Sequence, residues 1–233
     1  LHEPQINGGF LLLLKHALGM SRGMSRPGRL FIARHGETVF NAAARLQGES
    51  LHTPLTRAGF AQAERMGEAL RDVLGVQPVV ELWASESGRA LQTLAVIAEH
   101  LELDWHTAKR DPRLVEIGMG SWGGRYYADV VAEHGAVVDA ETRLLKPAPD
   151  GEIYPAIASR VSAWFDEHGQ APGDKLVIMH GISSRVLRGV LLGLDPLVAY
   201  DAPVAPGLPQ GSVICIEEGR ETIVVEGSGG ERA

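Results

Sequence analysis

The sequence predicts an α/β fold of three layers, with helices on both faces of a mostly parallel central sheet. Short apolar runs alternate with stretches of helical periodicity, the pattern of a sheet covered on both sides. The 233 residues, 45% hydrophobic, suffice for one sizeable core and require no second domain. Arg34-His35, Ser85 and His180-Gly181 each follow directly on a predicted strand, so one edge of the sheet can gather all three.

Taken in order, residues 1–28 are set apart as an N-terminal extension outside the fold. The apolar run 10–14 is broken by Lys15 and His16, far short of the ~20 residues a spanning helix needs. No basic region precedes it and no small-residue cleavage site follows, so a secretory signal is not expected and the chain reads as cytoplasmic. Leu30-Phe31-Ile32-Ala33 is a buried strand. Thr56 caps a helix reaching Leu74, with Phe60, Ala63, Met66, Leu70 and Val73 at helical spacing. Residues 79–84 form a second strand between Pro78 and Ser85, and 88–101 return to helical periodicity. Further helices are predicted over 156–168 and 182–192, a strand over 176–179, and a closing pair over 213–216 and 222–225 joined at Glu218-Gly219. The segment near 117–155 combines glycines, prolines and aromatics with weak periodicity and reads as an insertion or lid around a site. A single domain thus spans 29–226, followed by a flexible glycine-rich tail at 227–233.

Charge and cysteine narrow the function classes. A formal net charge of -7 without a basic stripe argues against nucleic-acid binding and points to a small partner. Cys215 is the only cysteine, which excludes an intramolecular disulfide and a paired-cysteine metal site; its apolar surroundings read as core.

The chemistry begins at Arg34-His35-Gly36-Glu37-Thr38. A neutral imidazole can attack phosphorus, and a neighbouring cation favours the neutral form while gripping phosphate oxygens through its planar fork. Ser85 through Thr93 runs from a strand end into a helix and carries Arg89, and on its own it reads first as a helix cap by Ser85 or Ser87 with a solvated Arg89. In Met179-His180-Gly181 the glycine permits close backbone approach, and the following helix offers free amide donors to an anion.

Together these motifs resemble the histidine phosphatase superfamily, which includes the cofactor-dependent phosphoglycerate mutases. The match runs through residues 34–38, Asn41, Leu55-Thr56 with Gly59, Ser85, Arg89-Ala90, Gln92-Thr93, Glu116 and His180-Gly181, in the expected order. The resemblance implies a phosphoglycerate mutase-like fold and His35 as the nucleophile that becomes phosphorylated. Arg34, Arg89 and His180 would surround the transferring phosphoryl group, with His180 most effective if protonated. Asn41, Gln47, Gly48 and Gly181 would complete the substrate site. Glu116 would protonate the leaving alkoxide and later activate water. No metal and no cofactor is expected. The chain departs from the family pattern at Ser85-Glu86-Ser87, at Gly123 and at Gly151-Glu152-Ile153. These bear on the pocket rim, and so on substrate choice, without removing a catalytic group.

The leading expectation is a metal-independent phosphomonoesterase acting on a small phosphorylated metabolite, without nucleic-acid or membrane partners and with homodimer formation open. A mutase is the enzyme alternative. It needs further cations for a second phosphate or carboxylate, and those between Glu116 and His180 (Arg125, Arg143, Lys146, Arg160, Lys175) form no paired cluster in the sequence. An inactive binding module on the same fold is the third reading, disfavoured because all five catalytic side chains are present.

Overall fold

The computed structural model describes residues 26–230. Its sheet has six strands: β1 (Leu30–Arg34), β2 (Val80–Ala84), β3 (Lys109–Arg110), β4 (Asp174–Met179), β5 (Val213–Glu217) and β6 (Arg220–Val225), in the order β3-β2-β4-β1-β5-β6. The first four run parallel, while β5 lies antiparallel to β1 and β6 antiparallel to β5. The sheet is therefore α/β and mostly parallel, with an antiparallel hairpin at one edge.

Alternation along the strands divides the core into two. Phe31, Ala33, Leu82, Ala84, Leu176 and Ile178 face α2 (Arg57–Leu74) and α3 (Gly88–His100). Leu30, Ile32, Trp83, Val177 and Met179 face α5 (Tyr154–Trp164) and α6 (Gly181–Leu191). Both faces being covered explains why the strands read as continuous apolar runs. Each fully buried large side chain contributes roughly 1.5–3 kcal/mol. Cys215 belongs to the first cluster, and burial pushes its thiol up to about 11, as suits a packing residue.

Local chemistry sets the element ends. Thr56 caps α2 by accepting from the Gly59 amide. Its buried face consists of Gly59, Gln62, Ala63, Met66, Gly67 and Leu70, whereas Phe60 and Val73 are exposed. The two glycines explain that rotation away from the bulky residues. A Cβ on Gly67 would lie 2.5 Å from the His100 ring, and one on Gly59 would meet the Glu37 carbonyl. α5 opens with a proline in its first turn and continues past Trp164 as a π-helical turn, Phe165–Gly169. The β5–β6 turn places Glu218 and Gly219 at φ 49° and 73°, the left-handed pair a tight hairpin requires.

Three short elements escape the periodicity: α1 (Val39–Ala42), β3, and α4 (Tyr127–His134). The last lies in the predicted insertion, which packs into the second core cluster through Ile117, Met119, Trp122, Val130, Leu144 and Leu145.

Most of the predicted N-terminal extension, including the apolar run 10–14, lies outside the described residues. Arg26, assigned to that extension, is buried and donates to the carbonyls of Gly169, Ala171 and Gly173, so the packed chain starts before residue 29. In the predicted tail, Gly227 and Gly229 donate to Ser212 Oγ and the Gln210 carbonyl, and residues 231–233 lie outside the described residues. Among the described residues no helix is long and apolar enough to cross a membrane.

Candidate active site

The parallel register β2-β4-β1 aligns three carboxyl ends. Arg34 pairs with Met179, and Ala84 with Ile178, so His35, His180 and Ser85 leave the sheet side by side. The His35 amide donates to the Met179 carbonyl and that of Ser85 to the Ile178 carbonyl, carrying the ladder one residue further. The His35 and His180 ring centroids stand 5.1 Å apart.

Two hydrogen bonds fix the imidazole tautomers. His35 Nδ1 lies 2.7 Å from the Gly36 carbonyl, which can only accept, so Nδ1 carries the proton and Nε2 keeps its lone pair. Arg89 Nε donates to His180 Nδ1 at 3.2 Å, so a neutral His180 carries its proton on Nε2, 3.5 Å from Ser87 Oγ. One ring thus presents a nucleophilic nitrogen and the other a donor. Burial, with the Arg89 charge second, holds both imidazoles well below their ordinary value of 6.5. His180 is therefore placed as a neutral ring with a proton on Nε2.

That burial has a pH consequence. The folded state resists protonation while the unfolded chain binds protons near 6.5, so stability rises with pH between the two values. As pH falls below about 6.5, the midpoint of chemical unfolding is expected to decrease steadily, and a His180→Gln variant should flatten the slope. A midpoint independent of pH from 6.5 down to 5 would contradict the buried neutral pair.

Arg89 is fully buried. It donates to the carbonyls of Ser50 and Gly48, to Thr53 Oγ1 and to His180. Burial lowers its pKa to about 10, which leaves it cationic at neutral pH. The sequence alone left a solvated Arg89 open; the fold instead closes the 48–53 loop around it, and Ser87 makes no side-chain cap. Gly48, at φ 51°, gives its carbonyl to Arg89, and a Cβ there would lie 2.6 Å from Met119. Arg34 donates to the Leu208 carbonyl at 2.6 Å.

Asn41 sits in α1 and forms a capping box with Thr38. Its Oδ1 accepts from the Thr38 amide, which leaves Nδ2 as a donor, and Gln47 Oε1 lies 2.6 Å from the same threonine hydroxyl. The Glu116 carboxylate caps α6. Its oxygens accept from the amides of Ile117, Ile182 and Ser183 at 2.9–3.2 Å, with Oε2 3.0 Å from the Ile182 amide. The free helix amides anticipated at Gly181 are thus partly occupied by Glu116 itself.

Gly181 lies between these groups. A Cβ there would meet the Arg34 guanidinium at 3.2 Å and Glu116 Oε2 at 3.4 Å. Gly181→Ala is expected to lower kcat/KM for p-nitrophenyl phosphate roughly tenfold while leaving the unfolding midpoint nearly unchanged, since only small displacements of two site groups are needed. A proportionate loss of stability would instead mark Gly181 as a packing residue.

Periodicity and motif spacing missed the supporting residues. Arg160 donates to the carbonyls of Arg113, Val115 and Glu116 and pairs with Glu152 at 2.7 Å, fixing the loop that carries Glu116. Thr93 Oγ1 accepts from the Gly36 amide, and Gln92 Oε1 from that of Leu55, which accounts for the Gln92-Thr93 pair. Ser50 and Thr53 carry no motif signal, because their role is to receive Arg89.

A sheet edge that gathers two buried imidazoles, two arginines and a carboxylate has the groups to hold a phosphoryl anion. The chain belongs to the histidine phosphatase superfamily (branch 1), whose family model matches residues 30–227. It is 33% identical over 170 residues to the Yersinia pestis protein named "Probable phosphoglycerate mutase GpmB", covering 71% of this chain and 75% of that one. Among solved structures it is similar to a mycobacterial glucosyl-3-phosphoglycerate phosphatase, with 26% identity, a TM-score of 0.66, and coverage of 87% of this chain and 99% of the other. The alpha-ribazole phosphatase of Shigella flexneri, at 24% identity and a TM-score of 0.63, covers 86% of this chain and 96% of its own and is alike in fold. The phosphoglycerate mutase-like α/β fold is thus common to chains bearing mutase and phosphatase names.

Proposed function

We propose that the protein is a metal-independent phosphomonoesterase that hydrolyses a small phosphorylated metabolite through a phosphohistidine at His35. The observation that carries this reading is the tautomer of His35, whose Nε2 lone pair is kept available beside the Arg34 and Arg89 charges. Nε2 attacks phosphorus, and the bond from phosphorus to the alcohol oxygen breaks. Arg34, Arg89 and the His180 Nε2 proton stabilise the charge on the equatorial oxygens, with Asn41 Nδ2 as a neutral donor. Glu116 gives a proton to the departing alkoxide. A water molecule then cleaves the phosphorus–nitrogen bond, returning a proton to Glu116 and releasing phosphate. Arginine and imidazole donors suffice to hold the anion, so a chelator is expected to leave turnover unchanged. A small-molecule substrate, the lack of nucleic-acid or membrane partners, and a cytoplasmic site belong to the same proposal.

The test separates the leaving group from the nucleophile. With phosphate release as readout, Glu116→Gln is expected to slow an alkyl phosphate about 10²-fold and p-nitrophenyl phosphate by less than about tenfold, because nitrophenolate departs unprotonated. Equal losses would remove Glu116 as the leaving-group acid, and no phosphate release from any ester by the parent protein would favour a binding module. The mutase reading rests on the name of the Yersinia relative. Interconversion of 2- and 3-phosphoglycerate faster than phosphate release would select it.

A further inference from the structure

Ser87 immediately precedes α3 and belongs to the Ser85-Glu86-Ser87 stretch at which the chain departs from its family's pattern. A serine in this position ordinarily turns its oxygen back onto an amide of the first helical turn. The Ser87 side chain makes no such bond. Only 1% of the residue is exposed, so its hydroxyl does not turn to solvent instead.

The hydroxyl is turned toward the candidate active site. Ser87 Oγ lies 3.5 Å from His180 Nε2 and accepts from Ser85 Oγ at 3.4 Å, both longer than a well-formed hydrogen bond. Arg89 Nε occupies the Nδ1 lone pair of His180, so the neutral ring carries its proton on Nε2 and offers Ser87 a hydrogen. Ser85 offers a second. Both lone pairs of the Ser87 oxygen therefore face donors, and its own hydrogen has no acceptor among the described residues. A buried hydroxyl in that state is costly, and beside an imidazole N–H and the Arg89 guanidinium the acceptor that suits it is an anion.

The position is fixed by the same strand ends that bring the histidines together. The Ser85 amide donates to the Ile178 carbonyl of β4, and the Ser87 amide to Ser85 Oγ at 3.3 Å. Arg89, two residues on, holds the other nitrogen of the His180 ring. The start of α3 thus addresses both nitrogens of one imidazole. Two donors 3.5 Å apart can both reach a single oxyanion oxygen at about 2.8 Å each.

We propose that Ser87 is a further binding residue for the transferring phosphoryl group, its hydroxyl donating to the oxygen that His180 Nε2 also binds. The proposal rests on the phosphoryl-site reading of His35 and His180 and adds a neutral donor to Arg34, Arg89, His180 and Asn41. When the anion enters, the Nε2 proton and the Ser87 hydrogen both turn to it. Two long contacts are exchanged for charge-assisted ones.

The test is calorimetric titration of inorganic phosphate into the whole chain. Ser87→Ala is expected to weaken binding about tenfold, and Ser87→Thr, which keeps the hydroxyl, to stay within about threefold of the parent. Affinity of Ser87→Ala equal to the parent would overturn the proposal, as would a Ser87→Thr protein as weak as Ser87→Ala. In a His180→Gln background the change to alanine should still weaken binding at least about threefold. No further loss there would mean that Ser87 acts only by orienting the imidazole, and would overturn the direct contact. In a crystal structure of the phosphate complex, Ser87 Oγ is expected within about 3 Å of the oxygen bound by His180 Nε2; an Oγ turned onto a helix amide overturns the proposal whatever the affinities. Failure of the parent to bind phosphate would overturn the phosphoryl-site reading and the proposal together, whereas phosphate binding without turnover of any ester would overturn only the hydrolytic reading.

Discussion

The His35→Ala protein is expected to release phosphate from p-nitrophenyl phosphate at least about 10³-fold more slowly than the parent, with an unchanged far-UV spectrum. The size of the effect follows from the division of labour at the sheet edge. Arg34, Arg89 and His180 remain and can still bind phosphate, but no lone pair is left to form the covalent intermediate, and positioned water must attack the ester directly. The imidazole is small, lies at a strand end and, among the described residues, hydrogen-bonds to the adjoining Gly36 carbonyl alone, so removal leaves few partners unsatisfied. Intact-mass analysis at neutral pH, after mixing with excess ester, should detect one added phosphoryl group in the parent and none in the variant. Retention of normal turnover by His35→Ala would exclude the nucleophilic role.

Arg89→Ala is expected to impair both activity and folding. Turnover should fall at least about 10²-fold, since a cation on the transferring group is lost. Stability should fall by about 3 kcal/mol, because truncation strands the buried Gly48 carbonyl and the half-buried Ser50 carbonyl and frees His180 Nδ1. For a chain of this size that corresponds to roughly 6–12 °C in Tm. Arg89→Lys retains a charge but one ammonium cannot span four acceptors, so it should recover only part of either loss. A Tm within about 2 °C of the parent for Arg89→Ala would mean that the 48–53 loop closes without it.

The contrast between His35 and Arg89 indicates what a single sequence discloses. Strand ends are legible because β1, β2 and β4 are covered on both faces and read as apolar runs with a turn behind them. The residues just past those ends, His35, Ser85 and His180, could therefore be placed together before any coordinates. α2 was legible in extent but not in orientation, since its contact face is set by Gly59 and Gly67, which carry no hydrophobic signal. Arg89 could not be called buried, because its partners are backbone carbonyls at Gly48 and Ser50, and carbonyls leave no trace in residue type. The same reason hid Arg160, whose acceptors are three peptide oxygens around Glu116.

The contact between Gly36 and Gly59 has a separate consequence. A Cβ on Gly36 would lie 2.3 Å from the Gly59 carbonyl, and one on Gly59 would lie 2.0 Å from that of Glu37, so peptide group rests on peptide group where the turn after His35 meets α2. A spacing set by side chains drifts whenever one is exchanged for a larger or smaller neighbour, but peptide groups come in one size. Ala63, Met66 and Leu70 can thus be exchanged over evolutionary time, with the core loosening or tightening around them, while the seat of His35 keeps its dimensions.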